Sequence, residues 1–531
     1  MDKFLLAIFS AFLLFHCSFI VFVHGATITT PCSQTPYPDV CNHFRIDANL
    51  VQSNRIQTPF AFRDQSLLVT MNQAIQAHQS ISNMDLSPFD QKGKLAWADC
   101  LELYADTVDQ LSRSLSSSNP IDAQTWLSAA TANQQTCENG FIDFNLASNL
   151  ESLPYMLGNF SKLLSNSLAI NKVTISSQSP IYDNFYTRQG SGHRRLLVNG
   201  FPSWVSSGDR RLLQSTAPLT GDIVVAQDGS GNYKSISEAL AASVKQRSGV
   251  KRFVIYVKKG VYNENINIER SMKNLMFIGD GIDATIVTGN KNIQDDATTF
   301  RSATFAVSGD RFIARDMTFE NTAGPQKNQA VALRSGSDFS VFYRCSFKGY
   351  QDTLYVYALR QFYRDCDVYG TVDFICGDAA VVLQNCNIYI RRSVSGQTNT
   401  VTAQGRKDPN ENTGIVFHNS RVAAADDLGS SKSYLGRPWH EYSRTVFMKS
   451  TLDGIIDPAG WLPWQGTFAL RTLYYAEYMN TGAGAATGRR VNWPGYHVLN
   501  SPAEAGKFTV GNFLAGDSWI PGTGVPFDTG L

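Results

Sequence analysis

The chain has 531 residues, 43% of them apolar, and a formal net charge of +1. That length supports two or three domains with sizeable cores, and so even a charge balance argues against a nucleic-acid binder. With 32 Phe and 21 Tyr against only 17% charged residues, the composition suits a β-rich globular body.

Residues 1–25 read as a secretory signal peptide. Lys3 gives a positive start, 4–23 is almost unbroken apolar sequence, and Val23-His24-Gly25 offers small residues at a cleavage site. A membrane anchor is the alternative, disfavoured because no basic stop-transfer flank follows. The chain is therefore expected to be secreted and extracellular. Beyond Cys17, eight cysteines remain, four on each side of residue 200. An even count in a secreted chain favours disulfides. Asn159-Phe160-Ser161 is an N-glycosylation acceptor pattern at Asn159.

Residues 26–180 predict a four-helix bundle. Leu67, Leu68, Met71, Ile75 and Ile81 recur at helical spacing, as do Leu101, Tyr104, Val108, Leu111 and Leu115. A third run passes through Trp126, Leu127, Ala130 and Cys137, and a fourth spans 155–168. The four cysteines here allow three pairings, which the sequence leaves open; in one of them Cys32 with Cys41 would close a hairpin and Cys100 with Cys137 would clip two helices. Residues 181–213 are a polar linker in which Arg194-Arg195-Leu196-Leu197 is repeated as Arg210-Arg211-Leu212-Leu213. A duplicated dibasic tetrapeptide in such a linker points to proteolytic release.

From 214 to 531, short β-branched and aromatic runs alternate with Gly, Asn and Asp. This part holds 32 Lys and Arg against 29 Asp and Glu, a mildly basic balance that favours an anionic partner. Only 237–245 suggests a helix, an end cap of the kind solenoids need. Cys345, Cys366 and Cys386 fall 21 and 20 residues apart, and Asp352 and Asp373 keep the same beat. Such a period marks a solenoid. The prediction is an all-β right-handed parallel β-helix, with a β-sandwich as the alternative. Equivalent residues then stack about 4.8 Å apart on neighbouring coils, which makes the two aspartates neighbours. Paired carboxylates suit acid/base or nucleophilic chemistry. The stacked cysteines fall within disulfide range; Cys366–Cys386 is the preferred bridge, with Cys345 and Cys376 left unassigned.

Five motifs in order give this part a close resemblance to plant pectin methylesterases: Gly260-Val261-Tyr262-Asn263-Glu264, Gln329-Ala330-Val331-Ala332-Leu333-Arg334, Gln351-Asp352-Thr353-Leu354-Tyr355, Asp373-Phe374-Ile375-Cys376-Gly377 and Leu435-Gly436-Arg437-Pro438-Trp439. The family more often has Phe where Cys376 stands. The N-terminal part resembles the pectin methylesterase inhibitor domain that precedes many of these enzymes, and the tetrapeptides resemble their subtilase processing sites. The resemblance implies a cell-wall hydrolase that converts galacturonate methyl esters to carboxylates and methanol. It assigns the nucleophile to Asp373 and the proton carrier to Asp352. Gln329 and Gln351 become oxyanion donors, and Arg437 pairs with Asp373. Thr299, Gln329, Arg437 and Trp439 become substrate contacts. Tyr350, Phe374 and Trp464 are weaker cleft candidates. Asp352, beside a negative charge and partly desolvated, is expected to hold its proton more tightly.

The implied partners are methylesterified pectin (homogalacturonan), a subtilase-type protease and a separate proteinaceous inhibitor. No nucleic acid is implied, and no cofactor or metal: the sequence has no Cys-x-x-Cys, His cluster or acidic calcium loop. Two other readings stand beside this one. One is a calcium-dependent polysaccharide lyase on the same architecture. The other is an inhibitor or binding protein acting through the helical bundle.

Overall fold

Helices come first in the computed structural model, which describes residues 32–44, 46, 59–152, 158–192, 197–198, 201–202, 221–247 and 251–531. The leader at 1–25 and both dibasic pairs lie outside the described residues. A short helix α1 (Pro38–His43) precedes four long ones, α2 (Pro59–Ser82), α3 (Gln91–Ser116), α4 (Pro120–Asp143) and α5 (Asn159–Gly192). Helix α3 starts where the Asp90 carboxylate accepts the Gly93 N–H at 2.7 Å. Helix α4 starts at an Asn119 cap followed by Pro120, whose missing N–H is no loss at a first turn. Leu67, Leu103, Tyr104, Leu127, Phe141 and Leu168 fill the space between the helices. The cysteines pair as Cys32–Cys41 and Cys100–Cys137, so the second bridge ties α3 to α4.

The described residues from 221 onward wind into a parallel β-helix with three faces. The first face is a seven-stranded sheet of β1 (Ile266–Ile268), β2 (Phe305–Val307), β3 (Leu333–Ser335), β4 (Leu354–Val356), β5 (Ile375–Gly377), β6 (Asn399–Gln404) and β7 (Ser433–Gly436). Each strand pairs in parallel with the next. The second face runs through Phe253–Val257, Leu275–Ile278, Arg360–Arg364, Ala380–Gln384 and Gly414–His418. The third includes Gly260–Asn263, Asp367–Gly370 and Asn387–Ile390. Two nine-residue strands, Ile313–Asn321 and Ser340–Lys348, pass through the corner between these two faces and join them.

Parallel stacking puts like beside like. Phe342 lies over Tyr363 at 4.7 Å between ring centroids, and Phe417 over Phe447 at 4.3 Å. One end is covered by α6 (Ile236–Gln246), whose Ser235 and Glu238 form a capping box. The Glu264 carboxylate accepts the N–H groups of Ile236 and Ser237 at 2.8 Å each, so the Gly260–Glu264 motif anchors that helix. The C-terminal segment packs Phe508, Val510, Leu514 and Ile520 on the second face, a cover the sequence reading missed. Among the described residues no helix is long and apolar enough to cross a membrane.

The expected Cys366–Cys386 bridge is absent: Cys345, Cys366, Cys376 and Cys386 are buried thiols. The stacking itself is present, with Asp367 opposite Asn387 in register. Cys366 Sγ reaches the Phe342 carbonyl of the preceding coil at 3.4 Å and Cys386 Sγ that of Tyr363 at 3.7 Å, and the Cys366 thiol also hydrogen-bonds those of Cys345 and Cys386. Side chains in an in-register stack point the same way, whereas a disulfide needs Cβ atoms converging to roughly 3.5–4.5 Å. Ser420 and Ser450 continue this corner ladder, each accepting a backbone N–H from the coil before it.

Candidate active site

The offset of 21 residues between β4 and β5, Leu354 opposite Ile375, carries through to Asp352 and Asp373, two residues ahead of each strand. The Asp352 N–H donates to the Val372 carbonyl at 3.1 Å, so the loops stack as the strands do. Both aspartates have left-handed backbones, φ 58° and 50°, a conformation Asp tolerates better than most residues. It turns each coil from its loop into its strand at the edge of the groove over the first face.

The two carboxylates have unlike surroundings. Arg437, just after β7, donates to Asp373 from Nε at 2.8 and 3.1 Å and from its terminal nitrogen at 2.6 Å. Such forked, charge-assisted pairing fixes the carboxylate plane. Thr400 adds a hydroxyl donated to Asp373 Oδ1 at 2.6 Å, and its oxygen accepts the Asp373 N–H at 2.9 Å. Asp352 has no cation as close. Burial first, then the Asp373 charge, then that of Asp143, push its carboxyl well above the usual carboxylate range, against a weaker pull from Arg437 and a thiol hydrogen bond from Cys376.

Gln329 and Gln351 line the same cavity of about 300 Å³ as both aspartates, with Thr299, Arg437 and Trp439. Trp464 also lines it and stacks on the Arg437 guanidinium at 4.4 Å. Trp439 leans over Gly405, where a Cβ would stand 3.2 Å from its ring, so a side chain there would press on the indole. Phe374 does not join them, being fully buried in the core. Tyr350 lies apart too, under Arg391 at 3.9 Å. Thr400 and Cys376 are the contacts that sequence reasoning missed. Thr400 was hidden because 27 residues separate β5 from β6 register partners, Ile375 opposite Thr402, which breaks the 21-residue beat.

The remaining wall of this cavity comes from α4, through Thr136, Asn139, Gly140, Ile142 and Asp143. Asp143 accepts the Thr299 N–H at 2.9 Å, so a substrate-contact candidate is in contact with the helical body. Asp99 of α3 accepts from Thr298 Oγ1 and Arg301 Nε at 2.5 Å each. Tyr357 donates to Asn133 at 2.6 Å, and Arg360 bridges Asp338 and Asp122 at 2.8 and 2.5 Å. Burial pushes the carboxyls of Asp99, Glu138 and Asp143 up.

The profile of the Pectinesterase family matches residues 222–517, and that of the plant invertase/pectin methylesterase inhibitor family matches 26–170. The chain is 54% identical to the probable pectinesterase/pectinesterase inhibitor 6 of Arabidopsis thaliana, covering 96% of this chain and 95% of that one. It is 52% identical to pectinesterase 2 of Citrus sinensis, covering 94% of each. Among solved structures, pectin methylesterase from carrot superposes with a TM-score of 0.58 at 56% identity, over 60% of this chain and all of that one. The Aspergillus niger enzyme gives 0.50 at 30% identity, over 58% and 97%.

Proposed function

The chain belongs to the pectinesterase family and carries an inhibitor-like helical domain ahead of its β-helix, and from this we propose that it demethylates cell-wall pectin through an unequal pair of aspartates. Asp373 attacks the carbonyl carbon of a galacturonate methyl ester to give an acyl-enzyme anhydride. Asp352 gives its proton to the departing methanol, then takes one from the water that hydrolyses the anhydride. The amides of Gln329 and Gln351 donate to the oxyanion, Arg437 holds Asp373 in line, and Thr299 and Trp439 contact the sugar. The observation that carries this reading is the asymmetry of the pair. One carboxylate is clamped by a forked guanidinium, while its neighbour is pushed towards its protonated form.

A chain cut within 181–213 and freed of its helical domain is expected to release methanol from methylated pectin, and Asp373→Asn to abolish that release. A variant as fast as wild type would sink the mechanism. The family assignment leaves the calcium-dependent lyase without support.

The helical domain is read as an inhibitor in place, since α4 walls the cavity and Asp143 touches Thr299. A subtilase-type protease acting at an Arg-Arg-Leu-Leu site would release it, and a separate inhibitor protein of the same fold would compete for the same face. Secretion to the cell wall rests on the leader at 1–25, and Asn159 is exposed at the start of α5, where a glycan has room. A role confined to folding is the second reading. Equal methanol release before and after cleavage would favour it.

A further inference from the structure

Arg334 sits at the centre of β3, between Ala306 of β2 and Tyr355 of β4 in register, and is only 2% exposed. Its guanidinium carbon lies 3.5 Å from the Phe300 ring centroid and 6.0 Å from that of Tyr357. Its Nε has no hydrogen-bond partner, and among the described residues no carboxylate forms an ion pair with it. The stack on Phe300 offsets part of the cost of burying this guanidinium, but a buried cation with no carboxylate and an unpartnered Nε is left incompletely compensated.

What Arg334 faces gives a reason for an arginine here. It lines a cavity of about 520 Å³ between the first face of the β-helix and α3, together with Arg270 on its own side. The helical domain presents Glu102, Asp106 and Asp109 across that cavity. Asp106 pairs with Arg270, and Glu102 pairs with Arg301 at 2.6 Å. Two of the three arginines on the catalytic body, Arg270 and Arg301, are thus paired with carboxylates of the domain that the processing step would remove, and Arg334 between them is not. Arg334 lies one strand before Tyr355 and two before Cys376, the strands that the catalytic aspartates lead into. At about 4.8 Å per coil, that is on the order of one or two sugar units along a chain lying in the groove.

We propose that Arg334, flanked by Arg270 and Arg301, is a binding subsite for the free carboxylate of an already de-esterified galacturonate unit on the substrate chain. In the uncleaved protein the acidic side of α3 stands in for that polyanion. This subsite rests on the reading that the enzyme acts on pectin. A fork of guanidinium donors suits a carboxylate, whereas a methyl ester has no charge to offer it.

The test uses the full chain cleaved in the linker and separated from the helical domain. The β-helix has its own core, and the carrot enzyme matches this part over its whole length. Calorimetry with an unesterified oligogalacturonate as probe should show binding to wild type that weakens with salt. Arg334→Met keeps the packed stem and removes the charge. It should not lower the melting temperature, and it should raise the probe Kd about 10- to 100-fold, the usual range for a hydrogen bond to a charged group. Arg334→Lys should recover part of that loss. In methanol release, Arg334→Met should raise KM more for partly de-esterified pectin than for fully methylated pectin. No probe binding to wild type, or an equal Kd in Arg334→Met, overturns the subsite. So does failure of both variants to fold, which would assign Arg334 to the scaffold. Probe binding without methanol release in wild type would count against the esterase reading and leave the subsite standing.

Discussion

Two identical side chains, Asp352 and Asp373, are given different work by their neighbours, and one of those neighbours is tested by a single methyl-for-hydroxyl exchange. Thr400 both donates to the Asp373 carboxylate and accepts its N–H. Thr400→Val keeps the shape and removes both bonds. Hydrogen bonds to charged groups are worth about 1.5–3 kcal/mol, so kcat should fall about 10- to 100-fold with little change in KM, and Thr400→Ser should restore most of it. A Val variant with wild-type kcat would remove Thr400 from the account. At this scale the sequence supplied the aspartates, both glutamines, Arg437, Thr299 and Trp439 through short motifs. It did not supply Thr400, because the loop ahead of β6 breaks the coil period. Nor did it supply the Cys376 thiol as a donor to Asp352, since its motif suggested only packing.

At the scale of the element, the coil corners decide what their side chains do. The residues before Cys345, Cys366 and Cys386 are left-handed, as are those before Ser420 and Ser450. A corner of that geometry aims the next side chain along the stack. The thiols there hydrogen-bond to the neighbouring coil and to one another but stay unbridged, so protein denatured without reductant should give four alkylatable cysteines, at 345, 366, 376 and 386, by mass spectrometry. Two alkylated sites, with Cys366 and Cys386 protected, would restore the bridge. Cys386→Ser should cost little stability, since serine already fills the same corner at Ser420 and Ser450. The 21-residue beat thus read the stacking correctly and the bonding wrongly: spacing gives the distance between sulfurs, while χ angles and backbone turn give their direction.

Across the whole molecule, α3 and α4 lay carboxylates on the groove, and burial makes several of them hold protons more tightly. In the docked structure Asp99, Glu138 and Asp143 each have the pKa raised, chiefly by burial, and where docking supplies that burial the free domain holds these protons less tightly. A carboxyl with a raised pKa binds more protons in the docked state than in the free one. Docking is therefore strongest below the ordinary carboxylate range, about pH 4. It weakens as pH rises through the raised values. Titrating released helical domain into the cleaved enzyme from pH 4 to 8 should show inhibition falling with pH. Constant or rising inhibition would mean that these three carboxyls do not govern the grip.

The sequence by itself determined the two bodies, the solenoid and the residues expected to do the chemistry. Hydrophobic period, coil length and short motifs are local properties, and each survives in one dimension. Only the tertiary structure decided how the bodies meet: that α4 walls the cavity, that Asp143 reaches Thr299, and that acids of α3 face Arg270 and Arg301 while Arg334 is left without a carboxylate. These pairs lie 156 to 199 residues apart in the chain. No periodicity links them, because they arise from the shape and charge of two separately folded surfaces.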